Sequence, residues 1–141
     1  MNNITKILYE KALALNACDK FSGKENEKEL IELFFTPQGL EFCGKNNFPS
    51  MEDFRYFSKQ SAQRQGIYVN AGPVSVNNKA QVAVVGDTEA RLTYSDGSKR
   101  HIVVLMHGAK AHITATDFAV VFVYNFGGEV IKVTKDFAKI L

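Results

Sequence analysis

The sequence of 141 residues contains no tryptophan, three prolines, three methionines and two cysteines. Two cysteines are too few for the disulfide framework of a small secreted scaffold. The net charge of +2 is too small to indicate a nucleic-acid partner or an anionic membrane surface. The longest apolar run, Phe118–Tyr124, has seven residues, whereas a membrane helix needs about 20. These features exclude several classes but point to no single activity.

The composition is that of a folded globular protein, with 45% hydrophobic and 23% charged residues. The length fits a single domain over residues 1–141. Lys6, Glu10 and Lys11 interrupt the apolar pattern at the N-terminus, so no signal peptide is predicted. We therefore predict a cytoplasmic protein. Its two cysteines, Cys18 and Cys43, are predicted to be free thiols, and a bridge between them is the less favoured alternative.

The spacing of apolar residues changes near residue 66. Before it, the spacing is helical and predicts three helices, over residues 4–17, residues 25–35 and a segment that begins after Ser50. Ser50 and Asp53 occupy the two positions of a capping box. Residues 38–48 are predicted to form a short extended segment and a loop.

After residue 66, apolar and polar residues alternate and Val, Ile, Thr and Tyr become frequent, which is typical of strands. Asp96-Gly97 lies between two such runs and predicts a two-residue hairpin turn. A second hairpin is predicted to turn at residues 125–128. We identify no internal repeat. Helices followed by strands predict an α+β fold, with three N-terminal helices packed on a curved antiparallel sheet of four to six strands.

The strands predicted at residues 102–106 and 118–124 are apolar on both faces, which is typical of strands covered on both sides. Helices can cover only one face of the sheet. We therefore predict a homodimer that packs through the other face. The residues assigned to that face include Ala119, Val121 and Val123.

Three stretches resemble successive elements of one superfamily. IELFFTPQGLEFCG (31–44) is similar to its helix and small strand, PSMEDFRYF (49–57) to its short capped helix, and DFAVVFVYNFGGEVIKVTKDF (117–137) to its terminal hairpin. The chain thus resembles the superfamily of nuclear transport factor 2, ketosteroid isomerase and the SnoaL-like polyketide cyclases. The resemblance implies a cone-shaped, cystatin-like fold with an apolar pocket between sheet and helices.

Two functions follow from this resemblance. The first is a domain that binds a small apolar molecule or another protein. The second is an isomerase, lyase or cyclase of the ketosteroid isomerase type, although Phe42 falls where the isomerases carry their catalytic carboxylate. The residues assigned to the pocket are aromatic or aliphatic: Phe42, Phe54, Phe57, Leu105, Phe122 and Tyr124.

His107 is the candidate catalytic residue, because the predicted hairpin register turns it toward the core face. Histidine titrates near neutral pH and can serve as a general base. The alternative is a structural histidine that binds a backbone carbonyl at the end of a strand. The spacing of His107, His112 and Asp117 matches no compact metal motif, so neither a metal nor a cofactor is predicted. Cys43 is a weaker nucleophile candidate, since no histidine is predicted beside it.

Overall fold

The computed structural model describes residues 4–15 and 21–141. The chain forms two compact units, Met1–Gln65 and Gly66–Leu141. Their boundary matches the predicted change near residue 66. Cys18 lies outside the described residues, and so does the less favoured alternative of a bridge from it to Cys43.

The described part of the first unit contains five helices where the sequence predicted three. Asn26 caps the second helix through a capping box with Glu29. Thr36 caps the third by accepting a bond from the amide of Gly39. The helices are α1 (Ile4–Ala14), α2 (Glu27–Phe34), α3 (Pro37–Asn46), α4 (Met51–Phe54) and α5 (Lys59–Arg64).

The extended segment predicted over residues 38–48 is wrong, because α3 occupies most of it. Thr36 and Pro37 follow the end of α2 and start α3, with Thr36 as its N-cap. Proline is well suited to the first turn of a helix, where its missing N–H group costs nothing. By contrast, the predicted capping box of Ser50 and Asp53 is confirmed at the start of α4.

Asp53 joins this cap to α1. Its carboxylate accepts a hydrogen bond from the Ser50 amide at 3.1 Å and an ion-paired bond from Lys11. Burial opposes ionisation of the carboxyl group, but the bonds from Lys11 and Ser50 outweigh it and lower the pKa of Asp53. Ionised Asp53 therefore stabilises the packing of α1 against α4.

Asp53→Asn is expected to destabilise the helical unit by about 1–2 kcal/mol, because it weakens the bonds that the charged carboxylate accepts from Lys11 and the Ser50 amide. Because the folded-state pKa lies below the unfolded one, this stability is present at neutral pH and is lost as the pH falls through the folded-state pKa. Urea unfolding at several pH values should show that the variant lacks this acid-dependent loss. Glu52→Gln, on the same helix, should retain it; an unchanged pH profile in Asp53→Asn would contradict the assignment.

The second unit is a parallel β-solenoid with nine strands in two sheets. The chain alternates between the sheets, so odd-numbered strands form sheet A and even-numbered strands form sheet B. The strands are β1 (Ile67–Val69), β2 (Gly72–Asn77), β3 (Gln81–Val85), β4 (Thr88–Tyr94), β5 (Arg100–Met106), β6 (Lys110–Ala115), β7 (Val120–Asn125), β8 (Glu129–Thr134) and β9 (Lys139–Ile140).

All strand pairs within each sheet are parallel, so the predicted antiparallel sheet is wrong. In sheet A, Ile67 pairs with Ala83, Ala83 with Val104 and Val104 with Tyr124. A cone-shaped sheet built from hairpins cannot have this pairing. The resemblance to the nuclear transport factor 2 superfamily and the cystatin-like fold it implied are therefore both wrong.

The two predicted hairpin turns are corners that carry the chain from one sheet to the other. Asp96 lies between β4 of sheet B and β5 of sheet A, and its carboxylate accepts a bond from the Ser98 amide at 2.8 Å. This side chain tightens the corner as it would tighten a hairpin turn. Leu92 pairs with Val76 and Ile113 of neighbouring coils and not with β5 across the predicted turn.

The interior of the solenoid is built from alternate residues of both sheets. Ala90, Leu92, Val103 and Leu105 lie in one buried cluster. Ala119 and Val121 belong to the same cluster. The face predicted for the dimer contact is therefore wrong, because these two residues are core.

The solenoid contains an internal repeat, so the prediction that the chain has none is wrong. Asp117-Phe118-Ala119 and Asp136-Phe137-Ala138 occupy equivalent corners of successive coils, and both aspartates have positive φ. Ala119 and Ala138 are buried at these corners. The repeat is short because only the corner needs a particular backbone conformation. The strands need only an alternation of inward apolar and outward polar residues.

Among residues 4–15 and 21–141, no helix is long and apolar enough to cross a membrane.

Candidate functional site: the terminal coil

The last coil of the solenoid differs from those before it. We define the terminal coil as residues 120–141, which contain β7, β8 and β9. Asn125 pairs with Leu105, Lys132 with Ile113 and Thr134 with Ala115. In each pair the earlier coil supplies a buried core residue and the terminal coil a polar one. At these three positions the stacked core ends in polar side chains, as in the capping repeats of solenoid proteins, whereas Val121, Val123 and Val130 continue its apolar packing.

Asn125 organises the corner between β7 and β8. Its side-chain oxygen accepts bonds from the amides of Gly127 and Gly128, at 3.1 and 2.8 Å. Its side-chain nitrogen donates to the Gly128 carbonyl at 3.0 Å. These bonds satisfy the backbone groups of the corner from within the terminal coil itself.

Strand β8 is at the edge of sheet B, where it pairs only with β6 among the strands of the solenoid. An edge strand presents unpaired backbone N–H and C=O groups, which can accept a strand from another chain. The terminal coil thus combines an open backbone edge with polar inward side chains.

Phe118 and Phe137 form an aromatic stack at the corners of successive coils. Their ring centroids are 5.1 Å apart and their planes differ by 6°. Phe118 is 66% exposed and Phe137 is 72% exposed. A Cβ atom at Gly97, one coil earlier, would lie 2.9 Å from Cβ of Phe118. Glycine at position 97 therefore leaves room for Phe118. The face of the Phe137 ring that points away from Phe118 is open.

The large exposed apolar side chains of residues 66–141 are confined to the C-terminal end of the solenoid. Besides the aromatic stack, they are Ile131 on sheet B and Leu141, which follows β9 of sheet A. The earlier coils have their large apolar side chains buried or half-buried. Exposed apolar groups concentrated at one end of a domain are typical of an interaction surface.

Three residues predicted to line a pocket lie in the helical unit. Phe42, on α3, packs edge-on against Phe48 with ring centroids 5.8 Å apart. Phe54 is buried in α4, and its ring centroid is 5.9 Å from that of Phe57. These contacts place the three aromatic side chains in the local packing of the helices.

The other three predicted pocket residues do not share a face. Leu105 is in the solenoid interior. Phe122 and Tyr124 alternate with the core residues Val121 and Val123 on β7, so they lie on the outer face of sheet A. The guanidinium of Arg100 lies 4.4 Å from the ring centroid of Phe122, a cation–π contact. Because of these opposite orientations, the three residues cannot line one pocket.

The three histidines are in different surroundings. His107 is at the corner between β5 and β6, with φ of 57°, and is half-buried. His112 is on β6, half-buried, and His101 is fully buried. Within the described ranges, no group of three His, Cys, Asp or Glu side chains could hold a metal ion. The catalytic role assigned to His107 stays a prediction.

Cys43 is buried on α3, and burial raises the pKa of its thiol to about 12. The thiolate is the nucleophilic form of cysteine. At neutral pH the thiol is therefore protonated, and the structure gives no support to Cys43 as a nucleophile.

Tyr94 and His101 form a buried polar pair that sequence reasoning did not single out. Their rings lie 4.5 Å apart, and Nε2 of His101 is 2.8 Å from the backbone carbonyl of Asp96. A carbonyl only accepts, so Nε2 is the donor in this bond. Neither Nδ1 nor the Tyr94 hydroxyl has a hydrogen-bond partner, and burial raises the pKa of Tyr94.

Comparison with known proteins identifies no relative: no family model, no curated protein and no solved structure matches this chain.

Proposed function

We propose that this chain is a protein-interaction module that associates with a second copy of itself through the aromatic stack of Phe118 and Phe137. The observation that carries the proposal is the confinement of large exposed apolar side chains to the C-terminal end of the solenoid. The stack lies on corners that are held in place by the parallel ladders on either side. It is thus a rigid apolar surface, which binds at a low cost in conformational entropy.

Two features of this surface support a second copy of the chain as its partner. The exposed face of Phe137 can stack on the same face of another copy related by a two-fold axis, which makes the contact self-complementary. Asp136 lies between Lys135 and Lys139 in the sequence around the ring. A two-fold arrangement can therefore bring the carboxylate of each copy toward a lysine of the other.

Phe137→Ser is expected to weaken self-association by about tenfold or more, since loss of an aromatic contact with its buried area costs at least about 1.4 kcal/mol. Sedimentation velocity over a range of micromolar concentrations should show a dimer for the unaltered chain and a shift to monomer for the variant. Phe118→Ser should act in the same direction.

Tyr56→Ser provides the matched control, because Tyr56 is an exposed aromatic residue of the helical unit. This variant should dimerise like the unaltered chain. A chain that stays monomeric throughout the concentration range would overturn the proposal, as would a dimer that both phenylalanine substitutions leave intact.

A further inference from the structure

Lys132 faces inward on β8, and the residues that align with it in the earlier coils of sheet B are all apolar. Val76 pairs with Leu92 and Leu92 with Ile113, and Ile113 then pairs with Lys132. Leu92 and Ile113 are fully buried, whereas Lys132 is exposed at the open end. A strand added to β8 would place its own inward residue over the ammonium group.

We propose that the free edge of β8 is a latent interface with a second copy of this chain and that Lys132 keeps it closed. This interface is separate from the aromatic stack and does not depend on the proposed function. An inward-pointing charge at a sheet edge opposes strand addition because pairing would bury it.

The sequence of β8 is otherwise suited to pairing with itself. Two copies related by a two-fold axis would place their β8 strands antiparallel. In the register centred on Lys132, Ile131 faces Val133 of the second copy, and Glu129 faces Lys135 just beyond the strand. The outward apolar and charged pairs are favourable. The central pair brings two lysines face to face, and like charges directly opposite are destabilising.

Other registers do not avoid this conflict. A shift by one residue exchanges the inward and outward faces of the added strand. A shift that preserves the faces places Lys132 opposite Val130 or Thr134 and buries the ammonium group of each copy. Lys132 therefore opposes the centred register and the two nearest registers that keep the core continuous.

The test is made in the Phe137→Ser background, so that association through the aromatic stack does not contribute. Adding Lys132→Ile removes the cost of burying two ammonium groups, so it is expected to lower the dissociation constant for self-association by about tenfold or more, measured by sedimentation equilibrium. Lys110→Ile is the matched control, because Lys110 is an exposed lysine at the outward start of β6. This control should leave the chain as weakly associated as its parent.

A mixing experiment tests the same interface through charge. In the same background, Lys132→Glu alone should remain monomeric, and its equimolar mixture with the Lys132 parent should form heterodimers, detected by native mass spectrometry. The proposal is overturned if folded Lys132→Ile protein associates no more strongly than its parent, or if Lys110→Ile associates equally. Should Lys132→Ile fail to fold, a mixture without heterodimers overturns it.

Discussion

Val121→Asp is expected to abolish cooperative folding of the solenoid unit. Val121 is fully buried in the interior cluster and pairs with His101 on one side and Ile140 on the other. An aspartate there would place an unpaired carboxylate in an apolar interior, at a cost of about 3 kcal/mol or more. Folded domains are stable by only about 5–15 kcal/mol, so this loss is a large part of the free energy of unfolding.

Ile131→Asp is the matched control, since Ile131 lies on β8 and is 61% exposed. Its free energy of unfolding should change by no more than about 0.5 kcal/mol. Far-ultraviolet circular dichroism during urea titration would measure both variants. The antiparallel arrangement predicted from the sequence placed Val121 on an outward face, so a mild effect of Val121→Asp would contradict the solenoid.

His101→Ala is expected to destabilise the solenoid by about 3 kcal/mol, because it opens a cavity and leaves the Asp96 carbonyl without its donor. Tyr94→Phe, in contrast, should not lower the stability of the solenoid. The Tyr94 hydroxyl is buried without a hydrogen-bond partner, so its removal should be neutral or stabilise the solenoid by about 1 kcal/mol.

Thermal unfolding of both variants and the parent would measure this difference. The contrast is diagnostic, because the two rings are in contact and have similar burial. A Tyr94→Phe variant that is less stable than its parent by more than about 1 kcal/mol would show that the hydroxyl has a partner in solution, and the assignment of an unsatisfied pair would be wrong.

Much of the helical unit could be predicted from local signals. Ser50 and Asp53 form a capping box through atoms three residues apart, so their sequence separation already determines that interaction. The start of α1 follows from its apolar spacing. Helix α3 was missed because a Thr-Pro pair can either end one helix or begin another, and the pair alone does not distinguish these roles.

The pairing of the strands could not be obtained in the same way. Alternation with period two places Leu92 and Val103 inward in either an antiparallel hairpin or a parallel solenoid. Asp96-Gly97 indicates a sharp change of direction in both. The repeated Asp-Phe-Ala corners at Asp117 and Asp136 were the available signal for stacked coils.

The residues of the candidate site likewise depend on strand pairing that the sequence alone did not give. Sequence reasoning grouped Leu105 with Phe122 and Tyr124 because it assumed a hairpin register. The parallel register separates Leu105 from the other two and brings Phe118 onto Phe137 instead. The sequence did not indicate the role of Lys132, since a single lysine among alternating residues is expected to face solvent. Its inward position follows only from its neighbours in the adjacent coil.

The amino-acid sequence by itself determined the boundary near residue 66, the caps that start α4 and the alternation of the strands, because these depend on residues within a few positions of one another. The tertiary structure alone decided that β4 and β5 lie in different sheets, which end of the solenoid is polar inside, and where the exposed aromatic rings meet. Those features depend on backbone hydrogen bonds between residues a full coil apart. Such bonds use the same groups in every residue and leave little trace in side-chain identity.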